Sequence, residues 1–528
     1  MKTKKVIICD AIHKKGIDML SSEADIEVYD AASLPKDELL DKIGEYDIAI
    51  TRSSTPVNQA FLDKAKNLKA IVRAGVGVDN VDMEGCSKRG IIVMNVPTAN
   101  TIAAVEMTMA HMLSCARSFP NANNHLKLDR IWKREKWYGI ELFGKKLGVI
   151  GFGNIGSRVA IRAKAFGMDI VTYDPYIDPK KAIDLGVEYS ENFDDILACD
   201  FITIHTPKNK ETIDVISYKE IEKMKDGVRL INCARGGLYN EDALYDGLKS
   251  GKIAYAGIDV FVKEPATDNK LLDLENISVT PHLGANTYES QEKIATQAAS
   301  QAISAARGSS YPNALNLPID ETKMPPFVKP YLELVQKMGS LAAQVNKAPV
   351  STIKIVAEGD INEYLDSLLT FALVGALRES MGEQINYVNA EFVAKEKNIK
   401  TITETASKNS AYKNRVDLYL STSKGTVEVS GTAFGDDMQR VVRFDGFSLD
   451  VEPKGKMIIF KNTDVPGVIG DIGTILAKNG INIADFRLGR DDKSQALAVI
   501  LVDNTVSKEV LDALSKLEAC ISVSYVTL

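Results

Sequence analysis

Short apolar runs alternate with amphipathic stretches through the first hundred residues. KVIICD, IEVYD, DIAITR, LKAIVRAG and GIIVMNV read as strands, and DELLDKIGEY and QAFLDKAKNL as helices. This alternation predicts an open parallel sheet with helices on its faces. TIAAVEMTMAHMLSCAR, Thr101–Arg117, is small and apolar nearly all round and predicts a buried helix between two lobes. A second α/β block opens at GKKLGVIGFGNIG and continues through MDIVTYD, FITIHTP, GVRLINCA, AYAGIDV and ISVTP. A helix over residues 289–308 then returns to the first block, so the second lobe is inserted into the first. YPNALNLPIDETKMPPFVKP is rich in proline and polar residues and reads as a linker. The region beyond it mixes helices and strands and shows no catalytic constellation. From Gly455 the pattern is strand, helix, strand, strand, helix, strand, a βαββαβ module.

GFGNIG matches GxGxxG through Gly151, Gly153 and Gly156. The pattern alone is weak, but here it follows an apolar strand and opens a helix. Backbone N–H groups at a helix start receive a pyrophosphate, and glycine permits its close approach. The next strand ends in Asp174, whose carboxylate suits ribose hydroxyls and repels a 2′-phosphate, so NAD is preferred over NADP.

Three residues stand near the ends of strands in the second lobe: Arg235 in NCARGG, Glu264 in DVFVKEP and His282 in SVTPHLGA. In open α/β sheets the ligand crevice lies outside the carboxyl ends of the strands, so the three converge there. Histidine has the pKa to take a hydroxyl proton near neutrality. A neighbouring carboxylate orients its ring, and an arginine grips a substrate carboxylate with two parallel bonds. Each residue alone has a plainer explanation in a turn or a solvated loop. The other four histidines offer less: His13 and His125 lie in polar surroundings, His205 lacks a partner, and His111 with Cys115 reads as a packed core pair.

Composition narrows the field. The 528 residues suffice for three or four domains, at roughly 100–200 residues each. A net charge of −7 gives no nucleic-acid footprint. The six cysteines are scattered, so neither a metal site nor a redox pair is expected, and a reducing compartment fits. The run VIIC is too short for a secretion signal and nothing approaches a membrane span, so a cytoplasmic protein with no membrane partner is expected.

In this order, GFGNIG with Asp174, NCARGG, DVFVKEP and PHLGA resemble the D-isomer-specific 2-hydroxyacid dehydrogenase family over residues 1–315. The resemblance implies Arg235, Glu264 and His282 as the catalytic set and Asp259 beside the nicotinamide carboxamide. It implies cofactor contacts from Asn154, Ile155, Asp174, Thr206, Cys233, Ala234, Arg235 and His282, Leu283, Gly284 and Ala285. Arg52, Arg73 and Asn100 match positions near the substrate and its phosphate. Lys133 and Arg134 in IWKREKW match positions that reach a neighbouring subunit's site, with Trp132 docking on that neighbour; the bland alternative is a solvated charged turn, and the surface tryptophan beside it favours an interface.

The tail, with NTDVPGVIGDIG, resembles an ACT domain, and the implied effector positions are Asn462, Asp464 and Asn482. Some members carry histidine at the first and asparagine at the second, a departure that bears on effector affinity. With this tail the chain resembles the long, serine-forming branch of the family. That implies NAD-dependent oxidation of 3-phospho-D-glycerate to 3-phosphohydroxypyruvate by hydride transfer, feedback by L-serine, and a homo-oligomer, a tetramer. The implied division is a substrate-binding domain (1–99 and 283–315), a Rossmann domain (100–282), an intervening assembly or allosteric domain (316–453) and an ACT domain (454–528). The fold class expected is thus α/β, two Rossmann-like doubly wound lobes, then an α+β domain and βαββαβ. The alternatives are a glyoxylate or hydroxypyruvate reductase, and an NAD-sensing corepressor-like binding protein.

Overall fold

The structure, a computed structural model, describes residues 3–319, 324–407, 411–435 and 438–528, apart from the side chain of Glu383. Four sheets carry the chain. Strands β1 (Lys4–Ile8), β2 (Ile26–Asp30), β3 (Ile48–Thr51), β4 (Ala70–Arg73) and β5 (Ile92–Asn95) form a parallel sheet of order β2-β1-β3-β4-β5. Residues 6–8, 48–50 and 70–72 of its inner strands are apolar and buried because helices cover both faces. One of these is the returning helix Tyr288–Arg307, which puts Ile294, Ala298 and Ala302 into the same core as Val6 and Ile50. Gly16 makes this approach possible, since a Cβ there would fall 2.6 Å from the Ala295 carbonyl oxygen.

The second sheet is also parallel. It comprises β6 (Lys146–Ile150), β7 (Asp169–Tyr173), β8 (Glu188–Tyr189), β9 (Phe201–Ile204), β10 (Val228–Asn232), β11 (Ile253–Ile258) and β12 (Ile277–Val279). Its order is β12-β11-β10-β9-β6-β7-β8. The chain reverses direction across the sheet between β6 and β9, which opens a crevice at their carboxyl ends. Thr101–Arg117 is helical as expected and packs chiefly on β10 and β11 of this sheet.

The stretch expected to be a linker is partly tethered. Leu315 N–H donates to the Val93 carbonyl, and the Asn316 side chain bonds Val93 N–H and the Ile91 carbonyl, so this segment follows β5. Residues 320–323 of it lie outside the described residues, and its last residues already belong to the helix Val328–Asn346. Proline and asparagine favour a linker in sequence terms, but asparagine here supplies side-chain bonds to a sheet edge.

A six-stranded sheet follows: β13 (Val350–Glu358), β14 (Lys400–Thr405), β15 (Arg415–Thr422), β16 (Gly425–Phe434), β17 (Met438–Phe444) and β18 (Phe447–Val451), in the order β14-β13-β15-β16-β17-β18. The helices Val328–Asn346 and Leu365–Met381 pack with it. The tail is β19 (Lys456–Thr463), β20 (Ile483–Arg490), β21 (Gln495–Val502) and β22 (Cys520–Thr527), antiparallel in the order β20-β21-β19-β22. It is not a separate bead. Met457, Ile459, Val499 and Val526 share a core with Leu334 and Met338 of the preceding region, while the opposite face packs its own two helices. Alternation in strands such as MIIF and ALAVILV supplies an apolar face to each.

Candidate active site

The nucleotide motif sits at the reversal point. The chain turns after β6 at Gly151, whose φ is +86°, and a Cβ at Gly156 would lie 2.0 Å from the Gly151 carbonyl oxygen. Gly153 differs: a Cβ there would meet nothing within 4 Å, so its side faces open space. The helix Gly156–Ala165 starts here with no side-chain cap and no acid in its first turn. Among the described residues none accepts from the N–H of Asn154 or Ile155. Unspent N–H groups at the positive end of a helix, facing open space, fit a pyrophosphate. Asp174 closes β7, its carboxylate set by the Phe152 and Tyr176 N–H groups at 2.8 and 3.0 Å, with lone pairs left for a ribose. Asn100 Oδ1 and Thr206 Oγ1 are buried at the same cleft without partners among the described residues, as groups awaiting a polar ligand are. The residues present therefore fit a dinucleotide.

The catalytic candidates meet where the strand-end argument placed them. Three adjacent strands, β10, β11 and β12, lead to Arg235, Glu264 and His282. His282 Nδ1 lies 2.9 Å from Glu264 Oε2, and Glu264 Oε1 accepts from Phe261 N–H at 3.0 Å. The hydrogen bond and charge of Glu264 hold the His282 pKa above its ordinary 6.5 against the opposing effect of burial. Burial raises the Glu264 pKa, but bonds from His282 and Phe261 and the nearby positive charges outweigh it, leaving the pKa lowered. His282 itself has φ +55°, an uncommon conformation for a non-glycine residue. Its N–H donates to the carbonyls of Asp259 and Thr280 at 2.9 and 3.0 Å, which pins the turn.

Arg235 crosses towards the first lobe. Its Nε donates to Asp79 Oδ2 at 3.1 Å, and Gly77 leaves room, since a Cβ there would meet the guanidinium at 2.3 Å. Arg73 and Arg52 stand on the same side. Arg73 donates to Ser53 Oγ at 3.2 Å and Arg52 to the Ala11 carbonyl at 3.0 Å. Burial, and then the positive charges of Arg52 and Arg235, bring the Arg73 pKa down to about 10, so three guanidinium groups feel one another here. A cleft of about 420 Å³ runs between the lobes, lined by Gly77, Asp79, Asn100, Asn154, Ile155, Thr206, Cys233, Ala234, Arg235, His282, Gly284 and Ala285. Past the His282–Glu264 pair a further hollow of about 660 Å³ is walled by Ser53 and Ser54 on one side and Phe261 and Pro265 on the other.

Some expected residues lie elsewhere. The resemblance puts Asp259 beside the cofactor. It is fully buried, with its carboxylate beneath the turn, accepting from Leu283 and Gly284 N–H at 2.7 and 2.8 Å and from Thr280 Oγ1 at 2.5 Å. Leu283 serves the same turn and does not line the cleft. A buried carboxylate needs donors, and the nearest are these backbone groups. Arg134 is exposed, in the short turn Arg134–Trp137, outside the cleft lining of its own chain. In the tail, Asn462 and Asp464 line a hollow of about 480 Å³ with Arg490, whose Nε lies 3.3 Å from Asp464 Oδ2. Asn482 is not there, and bonds Asp503 at 2.7 Å. The register explains this. Asn462 and Arg490 both pair with Ala496, whereas Ile483 pairs with Val502, six residues or roughly 20 Å along the same strand.

Sequence reasoning did not single out Asp79, Asp10, Ser53 or Thr280. Asp10 accepts from Arg52 N–H and from Thr55 Oγ1, shaping the arginine side of the cleft. For Asp10, Ser53 and Thr280 the sequence signal was a place just past a strand end; Asp79, in the loop beyond β4, had none. His111 is buried, as a core residue would be, but its Nε2 lies 2.8 Å from Thr280 Oγ1.

A parallel nucleotide-binding sheet, an uncapped glycine-rich helix start and a histidine–carboxylate pair facing an arginine define a two-lobed NAD-dependent dehydrogenase. Comparison with known proteins agrees. The family model of the D-isomer specific 2-hydroxyacid dehydrogenase NAD-binding domain matches residues 109–284, that of the D-3-phosphoglycerate dehydrogenase intervening domain residues 327–445, and that of the ACT domain residues 456–519. The chain is 38% identical to D-3-phosphoglycerate dehydrogenase of Archaeoglobus fulgidus over 99% of this chain and 100% of that one. It is 37% identical to the Bacillus subtilis protein of the same name over 99% of each. Among solved structures, the TT0316 protein of Thermus thermophilus matches with a TM-score of 0.54 at 32% identity, covering 59% of this chain and 99% of that one. D-lactate dehydrogenase of Aquifex aeolicus, solved with NAD and lactic acid, matches with a TM-score of 0.51 at 29% identity, covering 58% and 96%. The chain belongs to the D-3-phosphoglycerate dehydrogenase family, within the D-isomer specific 2-hydroxyacid dehydrogenases.

Proposed function

We propose that this chain oxidises 3-phospho-D-glycerate to 3-phosphohydroxypyruvate with NAD, the first step of L-serine formation. The observation that carries the reading is the His282–Glu264 pair, 2.9 Å apart, beside a cleft that also holds Arg235. NAD, when bound, supplies the two-electron acceptor. Gly151, Gly153, Asn154, Ile155 and Gly156 receive its pyrophosphate, Asp174 its adenosine ribose, and Thr206, Cys233, Ala234, Gly284 and Ala285 wall the nicotinamide end. Arg235 holds the substrate carboxylate, and Glu264 fixes the imidazole so that His282 Nε2 takes the hydroxyl proton. Arg52, Arg73 and Ser53 offer donors for the phosphate, and Asn100 a further contact. Residues 1–99 and 283–315 bind substrate and residues 100–282 bind NAD.

The tail responds to an amino acid, and L-serine is the effector. Asp464 and Arg490 present opposite charges in one hollow, matching the ammonium and carboxylate of a zwitterion. Asn482 joins them only from a second copy of the module. The assembly is a homo-oligomer in the cytoplasm, a tetramer. Phe119, Leu128, Trp132 and Tyr138 form an exposed apolar run in one segment, the kind of surface a second copy covers. Among the described residues no helix is long and apolar enough to cross a membrane.

The test is NADH formation from 3-phosphoglycerate and NAD with a product trap, with and without serine. Turnover supports the assignment, and its loss on adding serine supports the sensor. Turnover of glyoxylate or hydroxypyruvate alone replaces the substrate. NAD binding without any turnover replaces the enzyme by a binding protein.

A further inference from the structure

The helix Thr101–Arg117 lies close on β11 because Gly257 has no side chain. A Cβ there would fall 2.7 Å from the Cβ of His111. This brings His111 Nε2 to 2.8 Å from Thr280 Oγ1, which in turn lies 2.5 Å from Asp259 Oδ1. The Asp259 carboxylate also accepts from Leu283 and Gly284 N–H. Counting donors fixes the protons. An ionised carboxylate only accepts, so the single hydroxyl proton of Thr280 goes to Asp259. Thr280 Oγ1 must then accept from His111, and Nε2 carries the hydrogen. The other nitrogen, Nδ1, is left bare, and it is a buried atom without a partner among the described residues. Burial pushes the His111 pKa down, with Asp259 opposing only in part, so the ring is neutral as this scheme requires.

We propose that His111 is a positioning residue for the reaction: through Thr280 it holds Asp259 and the turn of residues 282–284 that aims His282 at the substrate. The proposal rests on the dehydrogenase reading. His282 takes no part in the relay through its side chain, yet its backbone N–H donates to the carbonyls of both Thr280 and Asp259. A tilt at Thr280 thus reaches the base directly, since these bonds hold the His282 backbone at its φ of +55°.

Three variants test it, using whichever 2-hydroxy acid the native protein turns over. His111→Leu keeps the bulk and removes the donor, and kcat falls about tenfold or more, with a smaller rise in KM for NAD because Gly284 of the turn walls the nicotinamide end. His111→Gln places an amide N–H where Nε2 was, and restores most of kcat. Thr280→Val gives a fall like that of His111→Leu, and the double variant falls no further, because the two act through one chain of bonds. Unchanged kcat in His111→Leu overturns the proposal. So do equal losses in the leucine and glutamine variants that track a lowered thermal midpoint, since these mean packing alone. The five histidines make nitrogen NMR of histidine-labelled protein readable. It reports the His111 tautomer without any substrate, and a ring protonated at Nδ1 overturns the relay. A native protein without turnover strikes the functional reading instead. The relay is then judged by the titration of His282 in His111→Leu, and an unmoved titration overturns it.

Discussion

Replacing Glu264 by glutamine probes the base through its tautomer. The native carboxylate spends Oε1 on Phe261 N–H at 3.0 Å and Oε2 on His282 Nδ1 at 2.9 Å. A carboxylate only accepts, so Nδ1 carries the proton and Nε2 is the bare nitrogen a base needs. A glutamine amide has a single acceptor. Kept against Phe261, its carbonyl leaves the NH2 group facing Nδ1, and the imidazole is driven to the tautomer protonated at Nε2. Turned round, the amide forfeits the Phe261 bond, at about 1–3 kcal/mol. Losing the carboxylate beneath the forming imidazolium costs about 1 kcal/mol more, a modest figure because the two side chains are 47% and 38% exposed. Together these lower kcat roughly 30- to 1000-fold. The defect persists at high pH, since tautomer choice does not depend on pH, whereas a mere pKa shift would be overcome there. The assay is steady-state NADH formation across the neutral and alkaline range with a product trap. A Glu264→Gln enzyme within about threefold of native kcat at alkaline pH refutes the reasoning.

Further outcomes are expected. The acid limb of native kcat/KM falls at a pKa above 6.5, because Glu264, with Asp259 assisting and Arg235 opposing, holds the proton on His282; Glu264→Ala moves that limb to lower pH in the same assay. The sign for stability is opposite: the pair stabilises the fold fully below the unfolded histidine pKa and loses this as pH rises through the raised one, which thermal unfolding against pH detects. Gly156→Ala, with its Cβ 2.0 Å from the Gly151 oxygen, destabilises by about 1–3 kcal/mol and weakens NAD binding, whereas Gly153→Ala keeps the melting temperature and loses affinity only; thermal unfolding distinguishes the two, and calorimetric titration with NAD reads the affinity of each. Arg235→Lys keeps the charge but forfeits the planar fork and the Asp79 contact, and kcat/KM falls by about two orders of magnitude. Trp132→Ala lowers the association constant of the oligomer, read by sedimentation against protein concentration.

Much of this molecule was legible in the order of its residues. Apolar runs of four to six, broken by helical periodicity, specified two parallel sheets, because a strand buried on both faces must be apolar throughout. GFGNIG after a strand located the nucleotide site, since a helix start and a missing side chain are local properties of the chain. Arg235, Glu264 and His282 were readable as strand-end residues of one lobe, and β10, β11 and β12 do lie side by side. What tertiary structure alone decided concerns groups distant in sequence. Nothing in VDN announced that Asp79 would meet Arg235, 156 positions away. Nothing in AHMLSC announced that His111 would bond Thr280, 169 positions away, because that contact depends on Gly257 letting a helix settle onto a strand. Asp259 turned inwards because its buried carboxylate found backbone N–H donors there, and Asn482 fell at the far end of its sheet from Asn462 because strand register, not residue type, sets that distance. Residue pattern determines elements and the sites built within them; the hydrogen bonds that orient those sites depend on which elements meet, and that is fixed only when the chain packs.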